Sequence, residues 1–153
     1  MKTELITGKE LIVDKIELTE LSNKLFMYCD AQLWERMLDE VFSPTIRFDM
    51  SNAGGGPPAM LDAKAVCDIW KQGFIGLDSV HHQAGHYLIT VRDDEADIFG
   101  YAVAFHYKKA ATKGNTRSFV GSCDLKATRT PDGWRFSQFK YNLKYIDGNT
   151  TLE

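Results

Sequence analysis

Apolar residues recur at helical spacing in the first half of the chain and at strand spacing in the second. Leu18, Leu21, Leu25 and Cys29 stand three and four positions apart, which places them on one face of a helix. Asp14 or Thr19 can cap that helix, and residues 1–13 read as a lead-in without clear periodicity. Trp34, Met37, Leu38 and Val41 predict a second, short helix ended by Pro44. Thr45 to Met50 alternates as a strand. Ser51 to Met60 holds three glycines and two prolines and reads as a loop. Asp62 stands as cap of a third helix carrying Ala65, Val66, Ile69, Trp70 and Phe74, which ends near Gly76.

From Val80 the period changes to two. Residues 80–92, 97–108, 117–129 and 134–145 predict four strands, with turn signals at Asp93-Asp94 and Pro131-Asp132-Gly133. Hairpin connections imply an antiparallel sheet, and helices followed by strands imply an α+β fold rather than alternating α/β. No repeat or linker divides the chain, so 1–153 is expected to be one domain.

The alternation also sorts side chains by face. Phe99, Tyr101, Val103, Phe105 and Tyr107 share one side of their strand; Ile98, Gly100, Ala102, Ala104 and His106 share the other. The small-residue side leaves room for a ligand or for a closely packed neighbour. In the preceding strand His82, Ala84 and His86 share a face and His81 points opposite. On the first helix Phe26 and Asp30 are four apart and share a face. Asp30 either caps a following helix over Ala31–Glu35 or pairs with a histidine. An Asp–His pair fixes the imidazole tautomer and raises its basicity, the property of a general base. A metal is not expected, because no HExxH or His-x-His accompanies these histidines.

Composition narrows the classes. The chain has 153 residues, 44% apolar, 25% charged and 12% aromatic, which excludes disordered, collagenous and coiled-coil chains. A chain this long buries roughly 68–70% of its unfolded surface and needs no disulfide or metal staple. Net charge is −3; through Asp62 there are 6 basic and 11 acidic residues, and afterwards 12 and 10. Neither part is basic enough to suggest nucleic acid. Lys108, Lys109, Lys113 and Arg117 read as a solvated turn. Cys29, Cys67 and Cys123 are odd in number, far apart and without CxxC, so reduced thiols in a cytoplasmic protein are expected. Glu4 interrupts the start a signal peptide would have, and no apolar run approaches the ~18 residues of a membrane helix. Gly54-Gly-Gly56 lacks the Lys-Ser/Thr of a phosphate loop.

Four segments carry a family resemblance: Tyr28-Cys-Asp-Ala-Gln-Leu-Trp34, Phe42-Ser-Pro-Thr-Ile-Arg-Phe-Asp49, the strand start at His81-His82, and Asp132-Gly-Trp-Arg-Phe136. With the order of elements they resemble the SnoaL-like branch of the nuclear transport factor 2-like superfamily over nearly the whole chain. The resemblance implies a cone-shaped α+β barrel, its N-terminal helices packed on a curved, mostly antiparallel sheet around an apolar pocket. Members include dehydratases, a dehydrochlorinase, isomerases, polyketide cyclases and non-enzymatic binding modules, so fold alone assigns no reaction.

Scytalone dehydratase and hexachlorocyclohexane dehydrochlorinase remove a proton with an Asp–His pair, and the resemblance puts Asp30 and His82 at those places. His106 matches a further pocket histidine, to hydrogen-bond the substrate or act as acid. The dehydratase's two carbonyl-polarising tyrosines fall at Cys29 and Met50, and the dehydrochlorinase's pocket arginine falls at Phe139, leaving Tyr101 or Tyr141 as replacements. Pattern and resemblance together place Phe26, Met50, Trp70, Phe74 and Tyr101 in the ligand wall. Ala104, Phe139, Tyr141 and Leu143 complete it. The loop from Ser51 to Pro58 either covers the mouth or is plain surface.

The expected function is a cofactor-independent lyase or isomerase acting on a small apolar or aromatic, polyketide-like molecule by Asp–His proton abstraction. The alternative is a non-catalytic ligand-binding or assembly module; a third reading, the small subunit of a ring-hydroxylating dioxygenase, suits a longer chain. No cofactor, metal, nucleic acid or membrane partner is expected. A homodimer or homotrimer is implied, with the bulky Phe99–Tyr107 face as its candidate surface.

Overall fold

Thr7 opens the first helix, α1 (Gly8–Asp30), with a reciprocal capping box. Its hydroxyl accepts from the Glu10 N–H at 3.3 Å, and the Glu10 carboxylate accepts from the Thr7 N–H at 2.8 Å, satisfying two donors that a helix start leaves open. The computed structural model describes residues 7–153. Residues 8–13, expected as a lead-in, are therefore helical, while 1–6 lie outside the described residues. Periodicity fails there because Ile12 and Ile16 face solvent.

Asp14 is not a cap. It is buried, accepts from Arg129 Nη1 and Nη2 at 2.8 and 2.9 Å, and accepts from the Trp134 indole N–H at 3.1 Å. The Arg129 guanidinium holds its carboxyl below the usual range against the opposing effect of burial.

A single helical turn, α2 (Trp34–Arg36), runs into a π-helical turn over Met37–Val41 that buries Met37 and Val41. Strand β1 (Phe42–Asp49) starts two residues before Pro44, so the proline sits in the strand rather than merely ending the helix. It occupies the stretch where the pairing with the last strand shifts register, between Phe42 and Arg47. A residue without an N–H is tolerated there. The expected loop then contains a short edge strand, β2 (Ala59–Asp62), paired antiparallel to β1. Helix α3 (Ala63–Gly73) follows Asp62.

Strands β3 (Ser79–Arg92), β4 (Glu95–Tyr107), β5 (Thr116–Thr130) and β6 (Gly133–Gly148) form the antiparallel meander the alternation predicts. The sheet order is β2-β1-β6-β5-β4-β3, with β1 and β6 the one parallel pair among the described residues. The α+β class is as expected. The sheet is curved but not closed, since β2 and β3 remain edges, so the barrel is a cone completed by helices. Its concave side buries Ile98, Leu125 and Phe136 against Leu18, Leu21 and Leu25 of α1.

One bulge inverts a face assignment. Gly85 pairs with Tyr101 and Leu88 with Phe99, so His86 and Tyr87 both oppose Gly100. His86 takes a left-handed φ of 56° and turns outward, its ring 5.7 Å from that of Tyr101. His86 therefore does not share the face of His82. Tyr87 turns inward over Gly100, where an added Cβ would stand 2.5 Å from the tyrosine ring. Only a residue without a side chain fits that approach.

Candidate active site

The concave face encloses a cavity of about 280 Å³ between the sheet, α1 and α3. Gly54, Gly55, Ile69 and Gly73, all exposed, form its rim. Its floor comes from the small-residue side of β4, Ala102, Ala104 and His106, which alternation had singled out.

Asp30 ends α1 with its side chain committed to β3. Oδ1 lies 2.6 Å from His82 Nδ1, and Oδ2 accepts from the His82 backbone N–H at 2.8 Å. Leu33, not Asp30, precedes the next helical turn, so the capping alternative is not realised. A carboxylate offers only acceptors, so the shared proton sits on Nδ1 and the lone pair of His82 is on Nε2. That nitrogen has no partner among the described residues, and His82 lines the cavity. The Phe26 ring packs beside the imidazole with centroids 5.4 Å apart. His81 is exposed, its Nδ1 3.9 Å from Asp30 Oδ2.

His106 is buried in the cavity wall between Phe74 and Phe119. Its Nδ1 accepts from Arg117 Nε at 3.1 Å. Burial pushes its pKa down to about 4, aided by the Arg117 cation and by His82 and opposed by Asp30. His106 is thus neutral near pH 7, with its proton on Nε2. It presents its Nε2–H to the cavity as a hydrogen-bond donor. Arg117 also belongs to the site: it lines the cavity and donates from Nη1 to the Thr150 carbonyl at 2.9 Å. Reading it as part of a solvated turn missed this. The signal was parity, because Arg117 shares its face of β5 with Phe119, Gly121, Cys123 and Leu125.

The apolar wall gathers most of the expected residues. Trp70 and Phe139 meet edge to face at 5.1 Å, and Phe48 stacks on Phe139 at 5.9 Å. Phe26, Met50, Phe74, Ala104 and Tyr141 also line the cavity. Tyr141 Oη faces the Ala102 and Phe119 carbonyls at 3.1 and 3.0 Å, so its proton is spent on backbone and it does not replace the absent tyrosines. Cys29 lines the wall as a neutral thiol, since burial pushes its pKa upward.

Two expected residues fall elsewhere. Tyr101 is on the convex face, 47% exposed, with Lys144 Nζ 4.5 Å above its ring; its odd position in β4 sets that side. Leu143 lies outside the lining, and its N–H donates to Asn52 Oδ1 at 3.2 Å, tying the Ser51–Ala53 turn to β6. That turn is ordered by the Met50 carbonyl, which accepts from Ala53 and Gly55 at 2.9 Å each. It forms rim rather than remote surface.

Among the described residues, no group of three or more His, Cys, Asp or Glu is placed to hold a metal ion. No helix among them is long and apolar enough to cross a membrane.

The SnoaL-like domain family matches residues 11–140. No curated protein matches the sequence at a significant level. Among solved structures, the Kfla4162 protein of Kribbella flavida is 26% identical, covering 93% of this chain and 97% of its own at a TM-score of 0.87. A Novosphingobium aromaticivorans protein ascribed to the scytalone dehydratases is 11% identical, covering 92% and 91% at 0.79. A hexachlorocyclohexane dehydrochlorinase from Novosphingobium barchaimii is 10% identical, covering 92% and 93% at 0.78. At such identities these last two share the fold alone with this chain.

Proposed function

We propose, for a chain that belongs to the SnoaL-like domain family, a cofactor-free elimination or isomerisation in which His82 removes a proton from a small apolar or aromatic molecule. The observation that carries this reading is the 2.6 Å contact between Asp30 and His82 on the wall of an apolar cavity. Asp30 fixes the ring so that Nε2 meets the ligand, and it stabilises the imidazolium once the proton has been taken. The aromatic wall of Trp70, Phe74 and Phe139 suits a planar or alicyclic substrate and excludes water from the charge that develops.

The test is turnover across a panel of β-hydroxy carbonyl compounds and chlorinated cyclohexanes, scored by loss of water or halide. A positioned base contributes about 10²–10⁴-fold, so His82→Gln should lose that much kcat/KM on a substrate the native protein turns over. Unchanged turnover in this variant, or binding without turnover across the panel, overturns the reading in favour of a binding module.

The convex face supports a further proposal, assembly with a second or third copy. Leu88, Tyr101, Phe105 and Tyr145 are 71, 47, 44 and 57% exposed there, a clustering of large apolar side chains unusual on a solitary surface.

A further inference from the structure

We infer that Arg117 holds His106 as a neutral donor and that the His106 Nε2–H, with the Arg117 charge at the ring's other nitrogen, receives the oxygen of an enolisable carbonyl substrate. This rests on the proposed proton abstraction by His82 and adds to it the other half of the reaction, the place where the displaced charge goes.

The first argument is electrostatic. Arg117 is the only formally charged side chain lining the cavity among the described residues. Arg36, Arg92 and Arg129 each meet a carboxylate, whereas among the described residues none lies within 4 Å of Arg117. Its charge is turned toward apolar walls, and burial disfavours it somewhat. A half-buried cation without a counter-ion favours a ligand that brings negative charge to it.

The second argument is hydrogen bonding. His106 and Arg117 are directly paired residues of β4 and β5. Nε of the guanidinium donates to His106 Nδ1, and Nη1 is held by the Thr150 carbonyl, so the arginine is clamped at both ends. A ring whose Nδ1 already accepts must carry its hydrogen on Nε2. Among the described residues no acceptor meets that Nε2–H.

The third argument is placement. His82 pairs with Ala104 across β3 and β4, and His106 is two residues along the same face. Diagonal neighbours of this kind stand about 7–8 Å apart. Both rings therefore open on the same part of the cavity, within reach of neighbouring atoms of one small substrate. In the step, the C–H bond beside the carbonyl breaks and its proton passes to His82 Nε2. The electron pair becomes the enolate C=C, and the negative charge resides on the oxygen that accepts from the His106 Nε2–H, in the field of Arg117. For a β-hydroxy carbonyl substrate the pair then expels the hydroxyl, which takes the proton back from His82 and leaves as water. For an isomerisation the proton returns to a different carbon. A chlorinated alkane offers no such oxygen, so the site discriminates against it.

The test uses 4-nitrophenol, a planar probe whose anion mimics an enolate and changes colour on ionisation, titrated into the native protein across pH. The phenolate should bind about tenfold or more tightly than the phenol, as expected for charge-assisted hydrogen bonds. Arg117→Leu should abolish that preference, and Arg117→Lys should restore part of it. In ¹⁵N spectra the His106 ring of Arg117→Leu should titrate at higher pH than in the native protein, a readout that also reports whether the variant is folded. The preference should survive in Asp30→Asn, so failed catalysis and a failed oxyanion site are told apart. No phenolate preference in the native protein, no binding of either form, or a preference unchanged in a folded Arg117→Leu overturns the inference.

Discussion

Asp30 grips His82 twice, through the ring at 2.6 Å and through the backbone N–H at 2.8 Å, although 52 residues separate them. The helix end therefore positions both the strand and the imidazole it carries. Asp30→Ala leaves the His82 N–H and Nδ1–H without an acceptor in a partly buried place. The expected loss is about 1–3 kcal/mol of stability, read by chemical denaturation. On a turned-over substrate, Asp30→Asn should lower kcat more than KM, because it alters the base rather than the apolar wall.

His106 makes stability depend on pH. The unfolded chain binds this proton near 6.5, the folded chain only at about 4. Between those values the unfolded state holds more protons, so stability falls as pH drops through the interval and is flat above it. The loss expected by the lower end is up to about 3 kcal/mol, at about 1.4 kcal/mol per unit. Denaturation midpoints at pH 7, 5.5 and 4.5 should show it, and His106→Asn should flatten the slope.

The Asp14 carboxylate, bound by Arg129 and Trp134, joins α1 to β5 and β6. Asp14→Ala leaves the Trp134 indole N–H and two guanidinium nitrogens without their carboxylate acceptor, although Arg129, 37% exposed, keeps Asp94 at 3.0 Å from Nε. A fully buried pair broken to leave an uncompensated charge costs about 3–5 kcal/mol; the exposure of Arg129 and its remaining pairing with Asp94 reduce the expected loss to about 1–2 kcal/mol. Urea denaturation measures it, and ligand binding at the distant cavity should be unchanged in the folded fraction.

Replacing Tyr101 by Lys and Phe105 by Glu charges the convex face without touching the cavity. The double variant should sediment as a monomer at concentrations where the native chain forms a dimer or trimer. A monomeric native chain would remove the assembly proposal.

Much of this architecture is readable from residue patterns, and the exceptions share a physical cause. The meander follows from a two-residue period that burial preserves, whereas the Asp30–His82 pairing follows from the family resemblance, since period and spacing alone leave Asp30 open between a cap and a histidine partner. The helix start does not, because its first turns bury little and are held by the polar capping box of Thr7 and Glu10. Strand β2 is four residues long and follows Pro57-Pro58, so nothing local distinguishes it from a loop. His86 changes side because one extra residue opposite Gly100 breaks the two-residue period. Arg117 sits beside a genuine turn, where composition masks the parity with Phe119 that its pairing with His106 makes plain.

Helix α1 is pinned by a carboxylate near each end, Asp14 to the β5–β6 hairpin and Asp30 to β3. The sixteen helical steps from one to the other span about 24 Å at the usual rise. Inserting or deleting one residue in that interval would swing Asp30 by about 100° around the helix axis relative to Asp14, so both anchors could not be kept. Among the described residues ahead of Asp14, none makes such a side-chain tie to the sheet. The stretch from Asp14 to Asp30 therefore acts as a fixed ruler for the position of the base.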